Sequence, residues 1–90
     1  MYSKKYRLIQ IEQFGGHNPA YDNKLGCICY PAYLKIGERG WLLCEYQASD
    51  EWMAYPHRLH TSNIESVYYL DGCIEIVTEH TKLVLEEIKE

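Results

Sequence analysis

Apolar and polar positions alternate with a period of two over most of this chain, and clusters of Gly, Pro, Asn and Asp interrupt the alternation at short intervals. That pattern predicts strands joined by turns. Tyr6 to Phe14 forms the first run and stops at Gly15-Gly16 and Asn18-Pro19, after which Gly15 to Gly26 has the composition of an ordered loop. Cys27 to Leu34 regains strand character, with Pro31 marking an edge or a bulge because proline has no N–H to give to a ladder. Ile36-Gly37-Glu38-Arg39-Gly40 reads as a turn, Trp41 to Tyr46 as a short strand, and Gln47 to Glu51 as a polar loop.

Trp52 to His60 is the next expected strand, bent or edged at Pro56, and Thr61-Ser62-Asn63 is expected to turn or to form one helical turn. Ile64 to Leu70 and Cys73 to Thr78 flank Asp71-Gly72, the clearest local signal, which suits a type I′ two-residue hairpin. Thr81 to Ile88 completes a C-terminal β-hairpin, with a short helix over the last residues as the competing reading. The fold expected is all-β, a small antiparallel barrel or strongly bent sheet of five to six strands, in one domain spanning residues 1–90.

Three segments resemble those of the small SH3-like barrels. Leu34-Lys35-Ile36-Gly37-Glu38-Arg39-Gly40-Trp41-Leu42 is similar to the stretch leading into their second strand. Asp50-Glu51-Trp52 resembles the loop whose tryptophan borders the ligand groove of peptide-binding members, and Thr61-Ser62-Asn63-Ile64 stands where they place a short helical turn. The resemblance implies a binding fold. It does not imply recognition of proline-rich peptides, because the second consecutive tryptophan and the proline-serine-asparagine-tyrosine pattern of those binders are missing.

Composition adjusts this picture in three ways. Nine tyrosines, two tryptophans and one phenylalanine in 90 residues are more rings than a small barrel encloses, so some must face a partner or a second copy, and a homo-oligomer, most simply a dimer, is expected. The net charge of −4 disfavours a general nucleic-acid coat, although Lys4, Lys5, Arg7, Lys35, Arg39 and Arg58 with interleaved tyrosines keep a nucleic-acid-binding SH3-like domain as the alternative. No apolar run approaches the roughly 20 residues of a membrane span and no secretory leader is evident, so a cytoplasmic protein with reduced cysteines and no membrane partner is expected.

Candidate chemistry is sparse. Cys27, Cys29, His57 and His60 match a zinc set in ligand type, but residues three apart on a straight strand point to opposite faces, and no metal or other cofactor is expected. A thiol nucleophile at Cys29 or Cys44 would need an imidazole beside it, which nothing in the pattern demands, and no enzymatic activity is expected. Trp41 is read as core. Trp52, Tyr55, Arg39, Arg58, His57 and His60 are the candidate binding residues, offering rings and donors to another protein or to a small anionic ligand. The resulting expectation is a non-enzymatic binding module, a stoichiometric protein-binding inhibitor or adaptor. In composition it resembles small phage and mobile-element proteins that block host defence systems, including by sequestering a nucleotide-like signal.

Overall fold

Among the described residues six antiparallel strands close on themselves in chain order to form an SH3-like barrel. The computed structural model describes residues 4–45 and 57–89, the side chains of residues 45 and 57 excepted. The strands are β1 (Tyr6–Gln13), β2 (Ile28–Tyr33), β3 (Arg39–Glu45), β4 (His57–Leu70), β5 (Cys73–Thr78) and β6 (Thr81–Glu87). The last segment is therefore a strand and the helical reading is set aside. Closure comes from β1 against β6, paired from Tyr6↔Glu87 to Gln13↔Thr81, whereas β1 and β2 share only Tyr6↔Cys29 and Arg7↔Ile28.

The period of two decides what lies inside. Ile74, Ile76 and Thr78 of β5 and Thr81, Leu83 and Leu85 of β6 alternate with less buried neighbours, so one face of each strand supplies the interior. Leu8, Cys29, Leu42, Cys44, Leu59 and Ile64 complete the core from the other strands. Each fully buried leucine or isoleucine contributes about 1.5–3 kcal/mol of transfer free energy. Pro31 keeps its place opposite Leu42, and the register shifts between Pro31 and Tyr33, the bulge expected of a residue without an N–H.

Two turn assignments are corrected. Thr61-Ser62-Asn63 is neither a turn nor a helical turn but the middle of β4, whose first part pairs with β3 (Cys44↔His57 to Arg39↔Asn63) and whose second part pairs with β5 (Ile64↔Thr78 to Leu70↔Cys73). The inward residues Thr61 and Ile64 are three apart instead of two, so the strand bends as it changes partner. The Ser62 and Thr61 side chains bond across the ladder, Ser62 Oγ donating to Thr78 Oγ1 at 2.9 Å and Thr61 Oγ1 accepting from Gly40 N at 3.0 Å, while Thr61 Oγ1 also donates locally to the Ser62 carbonyl at 2.7 Å. The segment Leu34–Leu42 leads into the third strand, β3, because β2 occupies residues ahead of it.

Asp71-Gly72 does join β4 to β5 with Leu70 opposite Cys73, but Gly72 alone has positive φ (77°), so the turn is not type I′. A Cβ at residue 72 would meet nothing within 4 Å, which leaves backbone strain as the whole cost of substitution. Gly72→Val should therefore lower stability by about 1–2 kcal/mol in denaturant titration, and Gly72→Asn by distinctly less, because asparagine tolerates positive φ.

Between β1 and β2 the chain folds back over the barrel. Asn18 caps a single 3-10 turn, Pro19–Tyr21, its side chain accepting from Ala20 N at 3.0 Å, with the proline at the first helical positions where no N–H is needed. The turn drives Tyr21 into the interior, and the return segment is tied to β1 by Gly26 N to Leu8 O (2.7 Å) and Leu8 N to Cys27 O (3.0 Å). Around Pro31, β2 is paired with β3 from Ile28↔Glu45 to Tyr33↔Trp41, whereas its pairing with β1 ends at Cys29. Exposed apolar side chains remain: Tyr68, Tyr69 and Leu70 stand at the end of β4, all more than half exposed. Among the described residues no helix is long and apolar enough to cross a membrane.

Candidate functional site

The β3–β4 ladder sets the outer face of one barrel wall. Leu42, Cys44 and Leu59 point inward, so their neighbours Trp41, Leu43, Arg58 and His60 face out, with Trp41 directly opposite His60 and Leu43 opposite Arg58. Arg58 lies diagonally over the indole, its guanidinium carbon 4.9 Å from the ring centroid, and the His60 ring stands 6.5 Å from the same indole at a tilt of 40°. A cation held over an indole at an exposed position is worth about 0.5–1 kcal/mol, which favours this posture of the arginine without neutralising its charge. Among the described residues Arg58 forms no ion pair.

Where β4 bends, a cavity of about 330 Å³ opens beside this wall, lined by Arg39, His60, Ser62, Glu79, His80 and Tyr21 among others. Its floor is a buried hydroxyl network. Thr78 Oγ1 shares a proton with Thr81 Oγ1 (2.7 Å), and accepts from Ser62 Oγ and from Thr81 N at 3.0 Å. Thr61 Oγ1 accepts from Gly40 N at 3.0 Å. Burial pushes the Tyr21 phenol up from its ordinary value, while its bond to the Thr81 side chain and the Arg39 charge pull the other way.

Arg39 Nε donates to the Thr61 carbonyl at 3.1 Å, which leaves the terminal nitrogens of the guanidinium for an incoming acceptor. Glu79 is held at the opposite lip, where its carboxylate accepts from Asn63 N at 3.3 Å and its own N–H donates to Asn63 O at 3.0 Å. The arrangement offers one fixed cation, two imidazoles and several hydroxyls, with a single carboxylate across the opening.

The structure brings together Arg39 and His60 at the cavity, and Arg58 and His60 around Trp41. Arg39 and Arg58 do not adjoin: their register positions on β3, residues 39 and 43, are about 13 Å apart at strand rise. The His57 backbone opens β4 opposite Cys44, and Trp52 and Tyr55 lie outside the described residues. Trp41 is corrected from core to wall, half-buried on the outer face. The parity of Gly40, Leu42 and Cys44, small and apolar at every second position, was the signal for it.

Ser62, Glu79, His80 and Tyr21 were missed, since they converge only through the β4 bend and the β5–β6 turn. Cys27 and Cys29 face the interior whereas His60 faces out, so those three do not meet around one ion, and among the described residues no group of three or more His, Cys, Asp or Glu is arranged to hold a metal. No family model, no curated protein and no solved structure matches the chain.

Proposed function

We propose that this SH3-like barrel is a non-catalytic binding module whose partner is another protein, engaged over the outer face of β3 and β4. The observation that carries this reading is the guanidinium of Arg58 laid over Trp41 beside His60, an arginine-aromatic cluster without a carboxylate among the described residues. Such clusters form the centres of protein interfaces, where the ring supplies area and the fork supplies direction. We assign Trp52 and Tyr55, which precede β4 in sequence, to the same surface, and Arg39 to its far end, where the cavity receives an acidic group of the partner. A stoichiometric inhibitor or adaptor is the role that a small module with one such face suits, and a phage or mobile-element protein acting against a host defence system remains the setting we favour for it.

The test is affinity capture from host lysate with the wild type and with Arg58→Ala and Trp41→Phe side by side, followed by titration of the captured protein. Arg58→Ala should weaken the complex by about 1–3 kcal/mol while the circular dichroism spectrum and melting curve stay put. Retention of full affinity would remove the cluster from the interface. Binding should also weaken only modestly between low and physiological salt.

The cavity favours a second reading, a small anionic ligand of nucleotide type held by Arg39 and the two imidazoles. A stabilising thermal shift on adding nucleotides, abolished by Arg39→Gln, would support it over the protein interface. The nucleic-acid alternative loses support: Lys4 pairs with Glu87 at 3.3 Å, Lys35 with Glu38 at 3.0 Å, and Arg7 donates to Gly26 O at 2.7 Å. For the exposed Tyr68, Tyr69 and Leu70 we propose self-association, which light scattering over a hundredfold concentration range would reveal as a rising mass.

A further inference from the structure

Asn63 has opposite charges on its two sides. Arg39 of β3 is its ladder partner on one side, and Glu79 of the β5–β6 turn bonds to it through backbone and side chain on the other. Each stands about one strand spacing of 4.7–4.9 Å away, so the two backbones are roughly 9–10 Å apart across the mouth of the cavity. Both side chains are tethered to β4 before they reach each other, Arg39 Nε at the Thr61 carbonyl (3.1 Å) and Glu79 Oε1 at Asn63 N (3.3 Å). Among the described residues neither forms an ion pair.

We propose that the cavity is a site for a free α-amino acid with a polar side chain, bound as the zwitterion, its carboxylate on the Arg39 guanidinium and its ammonium on the Glu79 carboxylate. The inference deepens the small-ligand reading of the cavity and rests on it in one respect, that Arg39 receives an anionic group. What it adds is the group opposite. The phosphates of a nucleotide meet Glu79 as a like charge, whereas a zwitterion satisfies both lips and brings no net charge to a lining whose one arginine and one carboxylate already cancel.

Donors and acceptors are in place for both ends. With Nε committed to Thr61, the guanidinium presents its terminal nitrogens to a carboxylate, and Glu79 keeps one oxygen beyond the one held by Asn63 N for an ammonium. The volume of about 330 Å³ is at the small end of the roughly 300–1,000 Å³ of ligand pockets, which suits an amino acid better than a nucleotide. Between the charged lips the lining presents the side-chain amides of Asn18 and Asn63 and the imidazoles of His60 and His80. A ligand hydroxyl or amide replaces the water on these groups, and an apolar side chain displaces that water without replacing its hydrogen bonds.

Isothermal titration of the whole chain tests this, with L-glutamine, N-acetyl-L-glutamine, L-glutamine methyl ester, L-leucine and adenosine monophosphate as probes. Saturable binding of glutamine is expected, weakened roughly tenfold or more by blocking either its ammonium or its carboxylate, and weaker for leucine. These comparisons use the wild type and need no variant to fold. Arg39→Gln should abolish glutamine binding. Glu79→Gln separates the two ligand classes, because its amide oxygen still accepts from Asn63 N while the charge is gone: it should weaken glutamine by roughly tenfold and leave adenosine monophosphate unchanged or bound more tightly.

N-acetylglutamine or adenosine monophosphate bound as tightly as glutamine, with no response to Glu79→Gln, would overturn the zwitterion and leave Arg39 as a receiver of anions. Leucine bound as tightly as glutamine, or no saturable binding of any amino acid at millimolar concentration, would also overturn the proposal. The protein interface is judged separately, by Arg58→Ala and Trp41→Phe, which lie outside the cavity lining.

Discussion

Gly40→Ala is expected to destabilise the fold by about 2–3 kcal/mol, a large cost for a single added methyl. Gly40 is buried in β3 at the place where the ladder to β4 shifts register, and its N–H donates to the Thr61 hydroxyl at 3.0 Å. A Cβ there would stand 2.5 Å from Ile64 Cδ1, 2.7 Å from the Tyr33 carbonyl oxygen and 3.3 Å from Thr61 Oγ1. The isoleucine methyl can rotate away. The Tyr33 oxygen cannot, because it belongs to the backbone of β2, and moving it opens the β2–β3 ladder next to the bulge at Pro31. Chemical denaturation measures the loss, and an unchanged midpoint would show that the close approach is not as tight as the structure has it.

Thr78→Val should cost a comparable 2–3 kcal/mol although the two side chains have nearly the same shape, since buried groups left without partners cost about 1–3 kcal/mol each. The Thr78 hydroxyl is the hub of the floor beneath the cavity. It meets Thr81 Oγ1 at 2.7 Å, Ser62 Oγ at 2.9 Å, and the N–H groups of Thr81 and His80 at 3.0 and 3.3 Å. Valine would strand the buried Thr81 N–H and take from the half-buried Ser62 hydroxyl its acceptor. Thr78→Ser keeps the hydroxyl and loses one methyl, at about 0.8 kcal/mol. A serine variant less stable than the valine variant would mean that packing, not hydrogen bonding, holds this corner.

The strands themselves were legible where the alternation of buried and exposed positions runs without turn-forming residues. Cys73–Thr78 matches the expected bounds, and Tyr6–Gln13 and Thr81–Glu87 end one residue short of them, because uninterrupted alternation is what a half-buried strand requires. The long β4 was not legible as one element. Thr, Ser and Asn are turn formers in isolation, and only the neighbours that the closed barrel provides, Gly40 on one side and Thr78 on the other, give the Thr61 and Ser62 hydroxyls partners across the ladder. The same misreading hid the cavity, which exists because β4 bends there. Arg39, Arg58 and His60 could be named from residue type, whereas His80 and Glu79 stand in a two-residue turn whose spatial neighbours no local pattern reveals. Cys27 and Cys29 share a face by spacing, but the place of Cys44 directly opposite Cys29 depends on the β2–β3 register.

The stability predictions bear on the scaffold, and they also constrain the surface it carries. Gly40 adjoins both Arg39 and Trp41, so Gly40→Ala should loosen the wall on which the proposed interface stands as well as the core behind it. Arg58, by contrast, is exposed and rests on the wall from outside, which is why its removal should separate binding from folding.

The most direct test of the binding face is amide hydrogen exchange of the barrel alone and in complex with the protein it captures. Protection on binding should concentrate in peptides covering Arg39–Glu45 and residues 57–63, with β5 and β6 little changed except at the Glu79-His80 turn beside the cavity. Protection confined to β5, β6 or the Tyr68–Leu70 end of β4, with exchange across β3 unaltered, would contradict the account.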